Sequence, residues 1–227
     1  MQGKFPPEVL LDGFPSFFEK QEDLAMLGVY NYTVILTYIG MLSGFYGILF
    51  TFNGDLRRAL LCLLIAGVCD MFDGKIAATR ERTRSEQRFG IQIDSLSDLV
   101  CFGVLPALIV YSLSAGILRT VLCALYVLSA LIRLAWFNVD EEARQDWDTG
   151  RRKVYLGLPV TSAAVVFPLL VWAGWRFHWP LPFLAPLVLG LMTVAFLLPV
   201  PVRKPSLSVR RKPMLHGRRR KRRRRES

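Results

Sequence analysis

The chain has 227 residues, 52% of them hydrophobic and 21% charged, with a mean hydropathy of +0.34. That profile excludes an ordinary soluble globular domain, where apolar content is lower and charge is spread more evenly. The net charge of +11 is concentrated at one end: Arg203 to Ser227 carry thirteen Lys or Arg and one acid, Glu226, and the rest is nearly neutral, with sixteen basic and seventeen acidic residues.

Residues 1–28 mix Val9, Leu10, Leu11, Phe14, Phe17 and Phe18 with Glu8, Asp12, Glu19 and Lys20. Such a mixture predicts a cytoplasmic helix lying in the membrane interface or, because Pro15 interrupts it, an irregular apolar leader. No Lys/Arg-led apolar run closed by a small-residue cleavage site precedes the first span, so no signal peptide is expected. Six apolar stretches follow, at about 29–52, 58–77, 92–113, 117–138, 158–177 and 181–202. Each holds roughly 20 residues, which at ~1.5 Å per residue cross a ~30 Å hydrocarbon layer. The expected fold is therefore an all-α integral membrane domain of six transmembrane helices over 29–202.

The links after the second and fourth spans are the basic ones, with Arg80, Arg82, Arg84 and Arg88 in one and Arg144, Arg151, Arg152 and Lys153 in the other. Excess Lys and Arg marks the cytoplasmic side, which predicts a cell (inner) membrane protein with both termini inside. The tail over 203–227 ends in a nearly unbroken Arg run that repels itself and builds no core, so disorder is expected. Following directly on a span, it should lie against anionic lipid. No nucleic-acid partner is expected, because no folded binding module accompanies it. Cys62, Cys69, Cys101 and Cys123 lie inside apolar stretches without metal-ligand spacing, and read as buried, inert thiols.

Four aspartates stand out against this background. Asp70 and Asp73 lie near the inner end of the second span, and Asp94 and Asp98 at the start of the third. A central Asp costs roughly 2.5–3.5 kcal/mol on insertion scales, less nearer an end, so four together demand compensation. Spacings of three and four residues put each pair on one helix face. The spans are antiparallel neighbours, and counting ~12 Å along each from the basic link brings all four carboxylates to one depth. Clustered carboxylates repel unless cations sit among them, and oxygen ligands in this number suit Mg²⁺ or Mn²⁺, with Ca²⁺ as an alternative. Two such cations would bind a diphosphate and stabilise displacement at phosphorus. Gly74 and Gly90 leave space for a substrate to approach backbone. An ion-transport role would also use buried acids, but acids near one surface beside a basic link fit a phosphate site better than a midplane ion site.

The stretch DMFDGKIAATRERTRSEQRFGIQIDSLSD, Asp70 to Asp98, resembles the signature of the CDP-alcohol phosphotransferase family. Asp70, Asp73, Gly74, Ala77, Gly90, Asp94 and Asp98 match its pattern. One position departs: Ala78 stands where the family has Arg, the gap before Gly90 is somewhat long, and Arg80, two residues on, is expected to reach the same phosphate. The resemblance implies that Asp70, Asp73 and Asp94 hold the metals and that Asp98 completes the site as general base. It further implies that Gly74, Ala77, Gly90 and Thr37 lie against the CDP moiety. Thr37 reads equally well as a hydroxyl bonded to its own helix.

Three stretches, FGIQIDSLSDLVCFGVLPA at 89–107, IRLAWFNV at 132–139 and YLGLPVTSAA at 155–164, resemble bacterial phosphatidylserine synthases within that family. They imply CDP-diacylglycerol and L-serine as substrates, with glycerol 3-phosphate or inositol phosphate as alternative acceptors. Arg133, ~9 Å deep in the fourth span, is the candidate for the serine carboxylate or a phosphate; snorkelling toward the cytoplasm is the alternative. A non-catalytic lipid-binding or ion-transport protein of the same fold stays open, as does a homodimer.

Overall fold

In a computed structural model the described residues are 32–77, 79–80, 82–114, 116–146, 154–198 and 201–203. The expected interfacial segment, the tail beyond Arg203, and Arg151, Arg152 and Lys153 of the second basic link lie outside them. Seven helices make up nearly all of the described chain: α1 Tyr32–Phe52, α2 Leu56–Ala77, α3 Arg84–Asp98, α4 Leu105–Leu113, α5 Ile117–Asp146, α6 Ala163–Phe177 and α7 Leu181–Leu197. A wide π-helical turn, Leu99–Val104, fuses α3 and α4 into one rod. The exception to an all-helical chain is one short antiparallel pair, β1 Val154–Leu156 with β2 Pro201–Arg203.

Four stretches are long and apolar enough to cross a membrane: Val34–Phe52, Arg84–Leu113, Ile117–Ala143 and Val160–Phe177. The other two expected spans fall short for different reasons. Helix α7 is apolar but has 17 residues; Leu198 is extended, as a residue before proline prefers to be, and Pro199 follows. Helix α2 is long enough at 22 residues but carries Arg57, Arg58, Asp70, Asp73 and Lys75. Two of the expected boundaries also move. The third span begins at Arg84 rather than 92, and the fourth runs on to Asp146 rather than ending at 138.

Local chemistry explains the helix ends. Gly54, at φ +75°, turns the chain between α1 and α2, and the Asp55 carboxylate accepts from the Arg58 N–H at 3.1 Å in the first turn of α2. Helix α3 opens on a capping box: the Glu86 N–H donates to Thr83 Oγ1 at 3.2 Å while the Thr83 N–H donates to Glu86 Oε2 at 2.9 Å. That reciprocal cap starts the helix two turns before the apolar run does.

The core lies where the helices meet and is built from Leu63, Leu105, Ile109, Tyr126, Ala130, Ala163, Phe167 and Leu189, all fully buried. Outward faces are apolar too. Ile35, Leu42 and Phe45 of α1, Leu118, Val121 and Leu125 of α5, and Phe183, Leu187 and Leu191 of α7 are exposed. Helices apolar all round belong in a membrane rather than in water.

Close helix approach depends on small residues. A methyl at Gly67 of α2 would sit 2.5 Å from the Ala164 Cβ of α6, and one at Gly44 of α1 would sit 2.5 Å from Cys101 Sγ. With no hydrophobic drive between helices in lipid, such packing is a main source of association. Gly67→Ala is therefore expected to destabilise the protein by about 1–3 kcal/mol, the usual range for overpacking. Gly190→Ala, whose methyl would meet Leu122 at an ordinary 3.6 Å, should keep or raise the melting midpoint. Thermal melts of both variants in one detergent check the contrast.

Candidate active site

The C-terminal half of α2 and the last turns of α3 bring the aspartates together. Carboxylate oxygens of Asp70, Asp73 and Asp94 all lie within 4.8 Å of one another. Asp98 joins them around a small cavity of about 10 Å³, whose other walls are Thr37, Gly40, Ala66, Cys69, Ser97, Cys101 and Phe102. That volume suits a single water-sized occupant. Across the helix interface the Asp70 carboxyl is within hydrogen-bonding reach of Asp98, and Asp73 of Asp94.

Helix α1 forms the third wall and orients the acids. The Thr37 hydroxyl, buried, donates to Asp73 Oδ2 at 3.4 Å. It therefore turns toward the carboxylates rather than back to its own helix. The Gly74 N–H also donates to the Asp73 carboxylate. The Ser97 hydroxyl donates to the Thr37 carbonyl at 3.5 Å and the Cys101 thiol to the Gly40 carbonyl at 3.4 Å, fastening the third rod to α1 on either side of Asp98.

The π-helical turn directly after Asp98 has a cause in the sequence. Pro106 has no N–H to give the Phe102 carbonyl four residues back, and its ring would collide with that carbonyl in a regular helix. The turn widens, and the buried Tyr126 hydroxyl of α5 donates to the Phe102 carbonyl at 2.9 Å. The same substitution occurs on α7. There Pro186 leaves the Pro182 carbonyl without its helical donor, and the Arg119 guanidinium of α5 donates to it at 2.9 Å.

The other expected site residues are distributed around this centre. Ala77 is the last residue of α2. Gly74 faces open space, since a methyl there would meet nothing within 4 Å. Gly90 faces Arg82, whose Nη1 lies 3.1 Å from where a methyl would stand. Arg80 is turned to Glu86, at 3.7 Å. Arg133 does not line the cavity; its guanidinium packs against Gly157, 3.1 Å from where that residue's Cβ would be. Gly157 is at φ +82°, and the Leu198 carbonyl presses on the same spot at 2.8 Å, so only glycine fits there.

Cys69, Ser97 and Cys101 line the cavity; the sequence reading took the two cysteines as buried, inert thiols and did not single out Ser97. Their spacing held the signal: Ser97 and Cys101 follow Asp94 by three and seven residues, on the same helix face. Arg82 carried no such signal, because its position follows from where the capping box starts α3.

The donor set fits a hard divalent cation. All four charged groups around the cavity are oxygen ligands, three of them already converge, and among the described residues no Lys or Arg lines the cavity to neutralise them.

Comparison with known proteins agrees with this geometry. The chain is 31% identical over 152 residues to the CDP-diacylglycerol–serine O-phosphatidyltransferase of Helicobacter pylori strain J99, covering 65% of this chain and 58% of the relative. It is 35% identical over 133 residues to the archaetidylserine synthase of Methanothermobacter thermautotrophicus, covering 58% of this chain and 53% of the relative. It is 32% identical over 160 residues to the CDP-diacylglycerol–serine O-phosphatidyltransferase of Saccharomyces cerevisiae, covering 66% of this chain and 57% of the relative. The chain thus spans between half and three-fifths of the length of these relatives. The family profile described as CDP-alcohol phosphatidyltransferase matches residues 30–199, the whole helical body including all four aspartates, and the chain belongs to that family.

Proposed function

We propose that this chain transfers the phosphatidyl group of CDP-diacylglycerol to the hydroxyl of L-serine, releasing CMP, with a divalent cation held by Asp70, Asp73, Asp94 and Asp98. The observation that carries the reading is the convergence of carboxylates from two helices at one point. The serine acceptor is supported by the relatives' names. Serine is common to all three, while the lipid part is phosphatidyl in two and archaetidyl in one.

In this mechanism the Asp98 carboxylate takes the proton of the serine hydroxyl. The serine oxygen forms a bond to the lipid-bearing phosphorus as the bond from that phosphorus to the bridging oxygen breaks, and CMP carries away the electron pair. Mg²⁺ or Mn²⁺, or Ca²⁺ in their place, would supply the positive charge that a diphosphate and a leaving phosphate need. Thr37, by its hydrogen bond to Asp73, fixes one carboxylate's orientation, and the open face at Gly74 is where nucleotide approaches backbone, with Ala77 and Gly90 beside it. Positioning and electrostatics supply most of the rate, as in other phosphoryl-type transfers.

The same reading has α2 and α7 crossing the membrane as the second and sixth spans, since α2 packs along α1 and ends its charged half at the site. The aspartates, the basic links and both termini then face the cytoplasm of the cell membrane, with residues 1–28 interfacial and the tail beyond Arg203 drawn to anionic lipid. Purified protein incubated with CDP-diacylglycerol and, in separate reactions, serine, glycerol 3-phosphate or inositol phosphate tests the proposal. Phosphatidylserine and CMP formed together with serine alone are expected; another acceptor, or no transfer with any, rejects it.

Removing one ligand should be decisive. Asp70→Asn or Asp94→Asn is expected to abolish transfer while the protein stays in the membrane, and near-normal turnover in either purified variant sinks the metal site. Asp98→Asn should separate binding from chemistry. Loss of a general base costs about 10²–10⁴-fold in rate, whereas nucleotide binding should fall much less; equal losses make Asp98 chiefly a ligand. Arg133 is assigned to the serine carboxylate. Arg133→Lys keeps charge but loses the planar two-bond grip, so KM for serine should rise more than KM for CDP-diacylglycerol. A rise confined to CDP-diacylglycerol moves Arg133 to the lipid phosphate, and no change in either means that it only snorkels.

A further inference from the structure

Arg80 and Arg82 stand in the link between α2 and α3, two residues apart, yet they are used differently. Arg80 is spent on Glu86 at 3.7 Å, and Glu86 is itself held by the Thr83 cap. Arg82 is half-buried and, among the described residues, has no acidic partner. Its backbone carbonyl accepts from Gln87 Nε2 at 3.1 Å, which pins the residue beside the first turns of α3. From there its side chain lies over Gly90, with Nη1 3.1 Å from where a Cβ would be.

Gly90, Asp94 and Asp98 succeed one another at four-residue steps, so they share one face of α3 and climb it a turn at a time, about 5–6 Å per step. A guanidinium over Gly90 therefore stands one turn outside Asp94, at the mouth of the carboxylate cavity. Glycine at position 90 lets the guanidinium sit this close; a methyl there would make it give way by a few tenths of an ångström. A half-buried cation that has no acidic partner among the described residues, one helical turn along from a cluster of acids, marks where an anion binds between them.

We propose that Arg82 grips the diphosphate of the CDP-lipid, at the oxygens turned away from the carboxylate cavity. This rests on the transferase reading above. The planar fork offers paired N–H donors to phosphate oxygens, which a lysine cannot reproduce. It also accounts for how the chain manages with Ala78 in the family's arginine position: the cation comes from four residues further on.

CDP and CMP binding to purified full-length protein, in detergent with Mn²⁺ present, tests the assignment without requiring turnover. Wild-type protein should bind CDP more tightly than CMP. Arg82→Gln should weaken CDP about 10-fold or more and CMP much less, as expected when a charge-assisted contact to the second phosphate is lost. Arg82→Lys should fall between the two, and Arg84→Gln, a change at the exposed first residue of α3, should bind like wild type. Should Arg82→Gln fail to fold by its melting profile, the Arg82→Lys loss for CDP over CMP decides alone. Unchanged CDP binding in the Arg82 variants, equal loss for CDP and CMP, or equal loss in Arg84→Gln overturns the inference while leaving the transferase reading intact. A wild-type protein that binds no CDP overturns the transferase reading and the inference with it.

Discussion

Four negative charges collected in a cavity with room for about one water molecule are the constraint around which this protein is arranged. Bare carboxylates so close would repel, and removing them from water costs several kcal/mol per ion before any partner is counted. Two donors face the acids, the Thr37 hydroxyl of α1 and the Gly74 N–H of α2, and among the described residues no basic side chain lines the cavity. Thr37 and the Gly74 N–H serve Asp73, while Ser97 and Cys101 hold the third rod at the spacing that keeps the two pairs of acids face to face. Elsewhere the helices are nearly featureless apolar rods. They approach closely where Gly44 of α1 meets Cys101 of the π-helical turn and where Gly67 of α2 meets Ala164 of α6.

Charge outside the cavity has a matching arrangement. Arg80 pairs with Glu86 of α3, Arg82 lies over Gly90, and Arg133 packs against Gly157, where the end of α7 and the strand pair also meet. There β1, after α5, pairs with β2, after α7.

Much of this was readable before any coordinates. The cluster of aspartates followed from residue type, spacing and the antiparallel run of two helices, because helix geometry fixes depth along each rod. Thr37 was legible only as a candidate, since a membrane threonine bonds its own helix as readily as a neighbour. What escaped was whatever depends on a departure from regular helix. The apolar pattern put the start of the third span at 92, but the Thr83–Glu86 cap begins the helix at Arg84. Hydropathy cannot see a cap. The strand pair was invisible for the opposite reason: its residues were counted as the end of one span and a basic link, and only their tertiary meeting makes them strands. The depth of Arg133 was estimated from a helix end at 138, whereas α5 continues to Asp146, so distance from a presumed boundary was a poor guide to what Arg133 touches.

The exchange of hydrogen bonds at Phe102 has a bearing on how such a chain can drift in sequence. Pro106 and Tyr126 stand on different helices, yet the tyrosine hydroxyl makes good what the proline withholds. Replacing Tyr126 by an apolar residue while Pro106 remains strands a buried carbonyl, whereas replacing Pro106 first restores an ordinary helical donor and frees position 126 to vary. The order of the two changes therefore matters, and a descendant lineage has one passable route and one blocked one. Arg119, two turns before Tyr126 on the same face of α5, answers Pro186 in the same way, but at an exposed carbonyl, so that the constraint on the order of changes is confined to the buried pair.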